Sequence, residues 1–305
     1  MGVLVVGSFM MDCVTRTKRA PKAGETLVGI DYNTYPGGKG ANQAIAAKRL
    51  GADVTMIGKV GHDAFGDDFI DVFKQEGLNT KTIMRSEVST GIGSITLDEE
   101  GENRIVIIPG ANMEFTPKEV YAHESYFETA NVIVSQLEVP EETVEAITDL
   151  ACKHDKTFIL NPAPMRKISD EVLRCVDILT PNETELAQML GLDTLEDVDA
   201  ITKAARRVID KGVACIIVTL GGNGALYVDD HEATHISGHK VEVTDTVAAG
   251  DSFNGALAHM LDQGRDILEA IRYANAVGAL TVQKSGAIPS LPTSEEVDNF
   301  LKNKT

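Results

Sequence analysis

Short β-branched runs alternate with longer helical patterns along most of the chain, and this alternation restricts the fold more than any other feature. Val3–Val6 precedes a helix from Ala41, and residues 54–57 precede one from about Ala64. Val132–Gln136 precedes a helix from Pro140, and residues 178–180 lead into a helix over 182–190. Residues 158–160 and 216–220 are further apolar runs. Runs that are apolar throughout suit a sheet buried on both faces, so the expected class is α/β with a mostly parallel sheet. Two stretches break the pattern. Residues 26–35 and 91–108 read as extended with polar alternation, and Asp98-Glu99-Glu100-Gly101 is a hairpin-like turn. They imply a small antiparallel sheet fed by two excursions, which could cover a ligand, pair with a second subunit or simply extend an edge. With no internal repeat, low-complexity tract or Pro-rich linker, one domain over 1–305 is expected.

Composition removes several function classes. A formal charge of −18 repels phosphate backbones and argues against a nucleic-acid partner. The longest apolar runs, such as Val3–Val6, fall far short of the roughly 20 residues a spanning helix needs, so no membrane segment is expected. Met1-Gly2-Val3-Leu4 lacks a basic leader, which points to a cytoplasmic protein. Cys13, Cys152, Cys175 and Cys215 are scattered without C-x-x-C spacing and read as small hydrophobes rather than zinc ligands or a disulfide framework.

Four segments carry possible chemistry. Pro36-Gly37-Gly38-Lys39-Gly40-Ala41-Asn42-Gln43 runs into an Ala-rich helix. Residues without side chains at a helix start expose amide donors for hydroxyl or phosphate oxygens, and Asn42 adds an amide that donates and accepts. A Walker A loop is excluded, because Asn33 stands where its first glycine belongs and Gly40 follows Lys39. The second segment is Asp245-Thr246-Val247-Ala248-Ala249-Gly250-Asp251. Its small residues before a helix present consecutive N–H groups that can stabilise a transferring phosphoryl group, with Asp251 as either proton acceptor or helix cap. In the third, Asn182 and Glu185 lie three apart, either to hold hydrated Mg²⁺ or to cap a helix. The fourth, Thr219-Leu220-Gly221-Gly222-Asn223-Gly224, is a strand and glycine turn that a nucleotide could approach.

In this order the segments resemble the ribokinase family of carbohydrate kinases, from Gly7 to about Pro292. Gly7-Ser8 with Asp12, Gly24-Glu25-Thr26 and Asn161-Pro162-Ala163-Pro164 add to the likeness. The resemblance implies a three-layer α/β sandwich with a small antiparallel β lid, from segments at about 12–36 and 90–110, and a homodimer formed through the lid. It makes Asp251 the general base, Ala248, Ala249 and Gly250 the anion hole, and Asp12, Gly38, Lys39, Asn42 and Glu138 the sugar contacts. ATP falls to Asn182, Thr219, Gly221, Gly222, Gly224, Gly250 and Asn275, with Mg²⁺ near Asn182 and Glu185. A monovalent cation, K⁺, falls to Asp245, Val247, Thr281, Lys284, Gly286 and Ser290, mostly through backbone carbonyls.

One residue departs from the pattern. Ribokinases carry Asn two residues before the sugar-binding aspartate, where this chain has Met10, and Met there resembles deoxyribokinases. A thioether neither donates nor accepts well, so it favours a sugar lacking the facing hydroxyl. The expected activity is therefore ATP-dependent phosphorylation of the 5-hydroxyl of 2-deoxy-D-ribose, with D-ribose as the alternative and a non-catalytic sugar-binding module as the more remote one.

Overall fold

Among the described residues, nine strands form the large sheet, in the order Ala233–Ser237, Gly224–Val228, Cys215–Thr219, Ile178–Leu179, Thr157–Asn161, Val132–Gln136, Val3–Val6, Val54–Gly61, Ile83–Ser86. From Cys215–Thr219 to Ile83–Ser86 every pairing is parallel. The last two strands, Gly224–Val228 and Ala233–Ser237, return antiparallel. The computed structural model describes residues 2–303; the expected span of 1–305 also takes in Met1, Lys304 and Thr305, which lie outside the described residues.

Alternation along the fully buried strands divides their side chains between two apolar layers. Val3, Val5, Val132 and Val134 pack with Ala41, Ile45, Ala256 and Ala274 on one face. Leu4, Val6 and Ile133 pack with Ile147, Ile201 and Val208 on the other. This is the helix–sheet–helix sandwich that the apolar runs imply. From Val3–Val6 the chain moves outward through Val54–Gly61 and Ile83–Ser86, then returns to Val132–Gln136 on the opposite side. The strand order thus reverses between Val3–Val6 and Val132–Gln136, and in open α/β sheets the crevice beyond the carboxyl ends at such a reversal is where ligands bind.

A second sheet of four strands has the order Asp31–Gly37, Met10–Arg16, Gly91–Leu97, Asn103–Ile108. Its outer pairings are antiparallel as expected, whereas its central pair runs parallel. Its boundaries also differ from the sequence expectation. Residues 26–30 are not in a strand, and Met10–Arg16, of which 12–16 fall in the lid segment that the resemblance implies, supplies a central strand. Pairing with both Asp31–Gly37 and Gly91–Leu97 satisfies its backbone and overrides the lack of apolar alternation in Met10-Met11-Asp12-Cys13.

Candidate active site

The two sheets meet where the reversal point opens. Gly7 and Ser8 follow Val3–Val6, and Leu137 and Glu138 follow Val132–Gln136. The helix Lys39–Arg49 starts against both loops, with Gly38 as its N-cap at φ 88°. A Cβ on Gly38 would lie 2.5 Å from the Met10 backbone N, so this turn admits only glycine. Glu138 accepts from the Lys39 backbone N–H at 3.0 Å and from the Ser8 hydroxyl. Its carboxylate complements the helix N-terminus and ties both strand ends to it.

Asp251 is 6% exposed and lies in the first turn of the helix Ala249–Asp262. It does not cap that helix. Its oxygens accept from Asn42 Nδ2 at 2.8 Å and Gln43 Nε2 at 3.2 Å, while Ala248 occupies the N-cap. Ala248 is left-handed at φ 60°, a conformation costly for a non-glycine residue and concentrated at functional turns. The N–H groups of Ala248, Gly250 and Asp251 find no acceptor among the described residues, whereas Ala249 N–H reaches Thr246 O at 3.3 Å. Asn42 is buried and its Oδ1 has no partner among the described residues, so it keeps an acceptor for a ligand hydroxyl.

Three carboxylates act on the Lys39 ammonium here. Burial alone would lower Lys39, but Asp251, Glu138 and Glu185 outweigh it and raise the ammonium above its ordinary range. Asp12 is pushed up to about 6 by burial, then by the charges of Glu138 and Asp251. Its carboxylate lies over glycines: a Cβ on Gly93 would meet Asp12 Oδ1 at 2.6 Å, and one on Gly37 would meet Oδ2 at 3.2 Å. Met10 shares the Asp12 face by strand alternation, and both of its cross-strand neighbours, Gly37 and Gly91, are glycine. Phe9 and Met11 belong to the apolar core, but Met10, although only 5% exposed, packs into neither core cluster.

A cavity of about 770 Å³ brings together Asn182, Thr219, Gly221, Gly222, Gly224, Gly250 and Asn275, which are distant in sequence. Its wall also includes Gly238, His239, Lys240, Val241 and Val243, a segment without a recognisable sequence signal. Asn275 donates to Ile236 O at 3.2 Å and Ser237 O at 3.4 Å, bracing the edge strand against the helix Ile267–Thr281. Asn182 and Glu185 form the capping box, each side chain accepting from the other's backbone N–H at 2.8 Å. Burial raises the Glu185 carboxyl, with Asp251 adding to the shift and the Asn182 N–H and Lys39 opposing it.

The residues expected around a monovalent cation are drawn from two segments that touch. Asp245 accepts from Val247 N–H at 3.0 Å and from Gly286 N–H at 2.9 Å, and Thr244 N–H donates to Val282 O at 2.8 Å. Thr281 Oγ1 bonds Ser252, Ser290 Oγ bonds Ala287 O, and Lys284 reaches Glu296.

A carboxylate between amide donors, free N–H groups at a helix start and a glycine-lined cavity together describe a phosphoryl-transfer site. A family model described as pfkB family carbohydrate kinase matches residues 2–294. The chain belongs to that family. It is a sugar kinase of the ribokinase and deoxyribokinase type, and its two-sheet architecture is the ribokinase-like α/β fold. It is 39% identical over 300 residues to ribokinase of Haemophilus influenzae, covering 98% of each chain. It is 37% identical over 303 residues to deoxyribokinase of Salmonella typhimurium, covering 99% of each. The structure of Arabidopsis thaliana ribokinase complexed with ribose and ATP matches with a TM-score of 0.92 at 31% identity, covering 98% of each chain. In this kinase, Ser8 and Gln43 join the site as residues that sequence reasoning did not assign. Their signal was present only as membership of the Gly7-Ser8 and Gly38–Gln43 motifs, since the partners that give them a role lie 130 and 208 residues away.

Proposed function

We propose that this pentose kinase of the ribokinase family transfers the γ-phosphoryl group of ATP to the 5-hydroxyl of 2-deoxy-D-ribose. The observation that carries the choice of sugar is Met10, buried beside Asp12, flanked by glycines and outside both cores. A side chain so placed offers a sugar an apolar wall where an amide would offer a hydrogen bond. D-ribose is the second reading, favoured by the number of relatives named ribokinase, the one from Haemophilus influenzae among them. Asp251, buried beside unpartnered N–H groups at the helix start, supports a catalytic reading over a non-catalytic sugar-binding module.

In the proposed reaction Asp12, Gly38, Lys39, Asn42 and Glu138 hold the sugar, and Asp251 takes the proton from its attacking 5-hydroxyl. The N–H groups at Ala248 to Gly250, chiefly those of Ala248 and Gly250, meet the charge of the transferring group. The glycine-lined cavity receives the rest of ATP. Bound with ATP, Mg²⁺ would neutralise phosphate charge. Glu185 Oε1, which takes no part in the capping box, is free to accept from its water shell, and Asn182 Nδ2, a donor, is free to meet a phosphate oxygen beside it. K⁺ fits the Asp245 and Thr281–Ser290 segments because their donors are oxygens, as a hard cation requires.

The small sheet is proposed as a lid and as the contact of a homodimer. Every residue of its edge strand Asn103–Ile108 is exposed, and Ile105, Val106, Ile107 and Ile108 form an apolar run there. Sedimentation equilibrium should give twice the chain mass; a monomer at micromolar concentration would remove the dimer. Among the described residues no helix is long and apolar enough to cross a membrane, and a cytoplasmic location, checked by fractionation, is part of the proposal.

A coupled ADP-release assay with MgATP and K⁺ tests the function, comparing kcat/KM for 2-deoxy-D-ribose, D-ribose, D-fructose and adenosine. Deoxyribose should lead. A lead for ribose discards the Met10 argument, and activity only on fructose or adenosine discards the pentose site. The same assay run against pH should show kcat/KM falling as the solution is acidified through about pH 6, where Asp12 takes up a proton. The sign follows from the raised pKa. Hydroxyl donors favour the charged carboxylate, so sugar binding expels the proton and weakens where that proton is held. Fold stability moves the opposite way, since ionising Asp12 costs the native state as pH rises through that value. A kcat/KM flat between pH 5 and 7 would remove Asp12 from the sugar site.

A further inference from the structure

Behind Asp251 runs a line of buried polar side chains that the reaction described above does not use. Gln43, Gln136, Asn161, Thr180 and Asn254 are all buried, Gln43 completely. Gln43 Nε2 donates to Asp251 Oδ1 at 3.2 Å and to Asn161 Oδ1 at 3.3 Å, and its Oε1 accepts from Gln136 Nε2 at 2.6 Å. Asn161 Nδ2 donates to Thr180 O at 3.0 Å and Thr180 Oγ1 to Asn254 Oδ1 at 2.7 Å. Asn254 Nδ2 then donates to Gly250 O at 2.8 Å. The line therefore starts on the Asp251 carboxylate and ends on the backbone of the residue before it.

These contacts determine which way each amide points. Turned over, Gln43 would aim its oxygen at Asp251 and Asn161 and its NH₂ at the NH₂ of Gln136, converting three hydrogen bonds into three repulsions. Gln136 is itself pressed into place, because a Cβ on Gly7 would lie 2.0 Å from its Oε1. That Oε1 is buried with no partner among the described residues. A buried unpaired acceptor is destabilising, and such groups concentrate where function requires them.

We infer that Gln43 sets the direction of the Asp251 carboxylate and that Gln136, which makes no hydrogen bond to Asp251, locks Gln43 in the one orientation that does so. Both are positioning residues, and the inference rests on Asp251 being the base. Gln136→Met preserves volume and frees Gln43 to turn. Gln136→Glu is isosteric and offers Gln43 an acceptor in the wrong place. Each variant, with Gln43→Met, is assayed for kcat, for pentose Kd by calorimetry without ATP, and for melting temperature.

All three should lose about 10- to 100-fold in kcat, the scale of a misplacement of about 1 Å, while pentose Kd changes by less than about three-fold. Gln136→Glu should fall at least as far as Gln136→Met, which loss of packing does not explain. If one variant fails to fold, the other two decide by the same split. Folded variants with kcat within about three-fold of the parent, or with kcat, Kd and melting temperature declining together, overturn the positioning pair. An inactive Asp251→Asn beside fully active glutamine variants removes the pair alone, whereas an active Asp251→Asn removes the base itself and the pair with it.

Discussion

Asparagine in place of Asp251 is expected to lower kcat by about two to four orders of magnitude in a protein that still folds and still binds pentose. The substitution keeps the shape of the side chain and one acceptor oxygen. It places an NH₂ where Asn42 Nδ2 or Gln43 Nε2 now donates, so one of the bonds at 2.8 and 3.2 Å becomes a clash of donors. A lost bond of this kind at a buried site costs about 1 to 3 kcal/mol of stability. The catalytic loss corresponds to about 2.7 to 5.5 kcal/mol on the barrier and is read in a different quantity. Structural damage lowers the melting temperature and weakens pentose binding, while loss of the base lowers kcat and leaves Kd in place. Steady-state ADP release, a thermal melt and a pentose titration on the same preparation separate the two. Retention of more than about a tenth of kcat would exclude Asp251 as the base.

How much of this was legible in the sequence depends on the range over which each signal acts. Val3–Val6 and Val132–Gln136 coincide with the apolar runs because strands buried on both faces have one requirement, apolarity, at every position. Asp251 stood out for its run of small neighbours, but base and cap could not be separated there. That separation depends on the left-handed Ala248 and on amides from a helix more than 200 residues away in the chain. For Asn182 and Glu185 the capping box was legible because it needs only its own turn, whereas a part beside Mg²⁺ depends on what lies across the cavity. Met10–Arg16 was legible as part of the lid only through the resemblance, because its partner Gly91–Leu97 lies far along the chain, and pairing rather than composition makes it extended. Gly224–Val228 and the edge strand Ala233–Ser237 broke the alternation of strand and helix by forming an antiparallel hairpin. The cavity wall they help to build, Gly238 to Val243, carries no motif. The site was therefore readable where chemistry follows from neighbours in sequence, and unreadable where it follows from neighbours in space.

Replacing Met10 with asparagine is expected to move the ratio of kcat/KM for D-ribose over 2-deoxy-D-ribose upward by about 5- to 150-fold. The range follows from one hydroxyl. A buried polar group left without its partner costs about 1 to 3 kcal/mol, and each 1.4 kcal/mol is a factor of ten. With Met10 in place, the extra hydroxyl of ribose would be buried against a thioether that cannot satisfy it, and with asparagine it would gain a partner while deoxyribose left the amide unpaired. The two effects act in the same direction, and the range counts one of them, so it is the least rise that the reading allows. The position tolerates the change because both cross-strand neighbours of Met10 are glycine and neither core depends on its side chain. A stability loss of about 1 to 3 kcal/mol is expected in the sugar-free protein, where the new buried amide has no hydroxyl to bond. Asp12, two residues along the same strand face, should keep its role, so the acid limb of kcat/KM near pH 6 should appear in both proteins. If the ratio moves by less than about two-fold, Met10 does not face the distinguishing hydroxyl and the preference between the sugars is set elsewhere in the pocket. If ribose leads in both proteins and the ratio still rises, Met10 lines the site without deciding which pentose the kinase prefers.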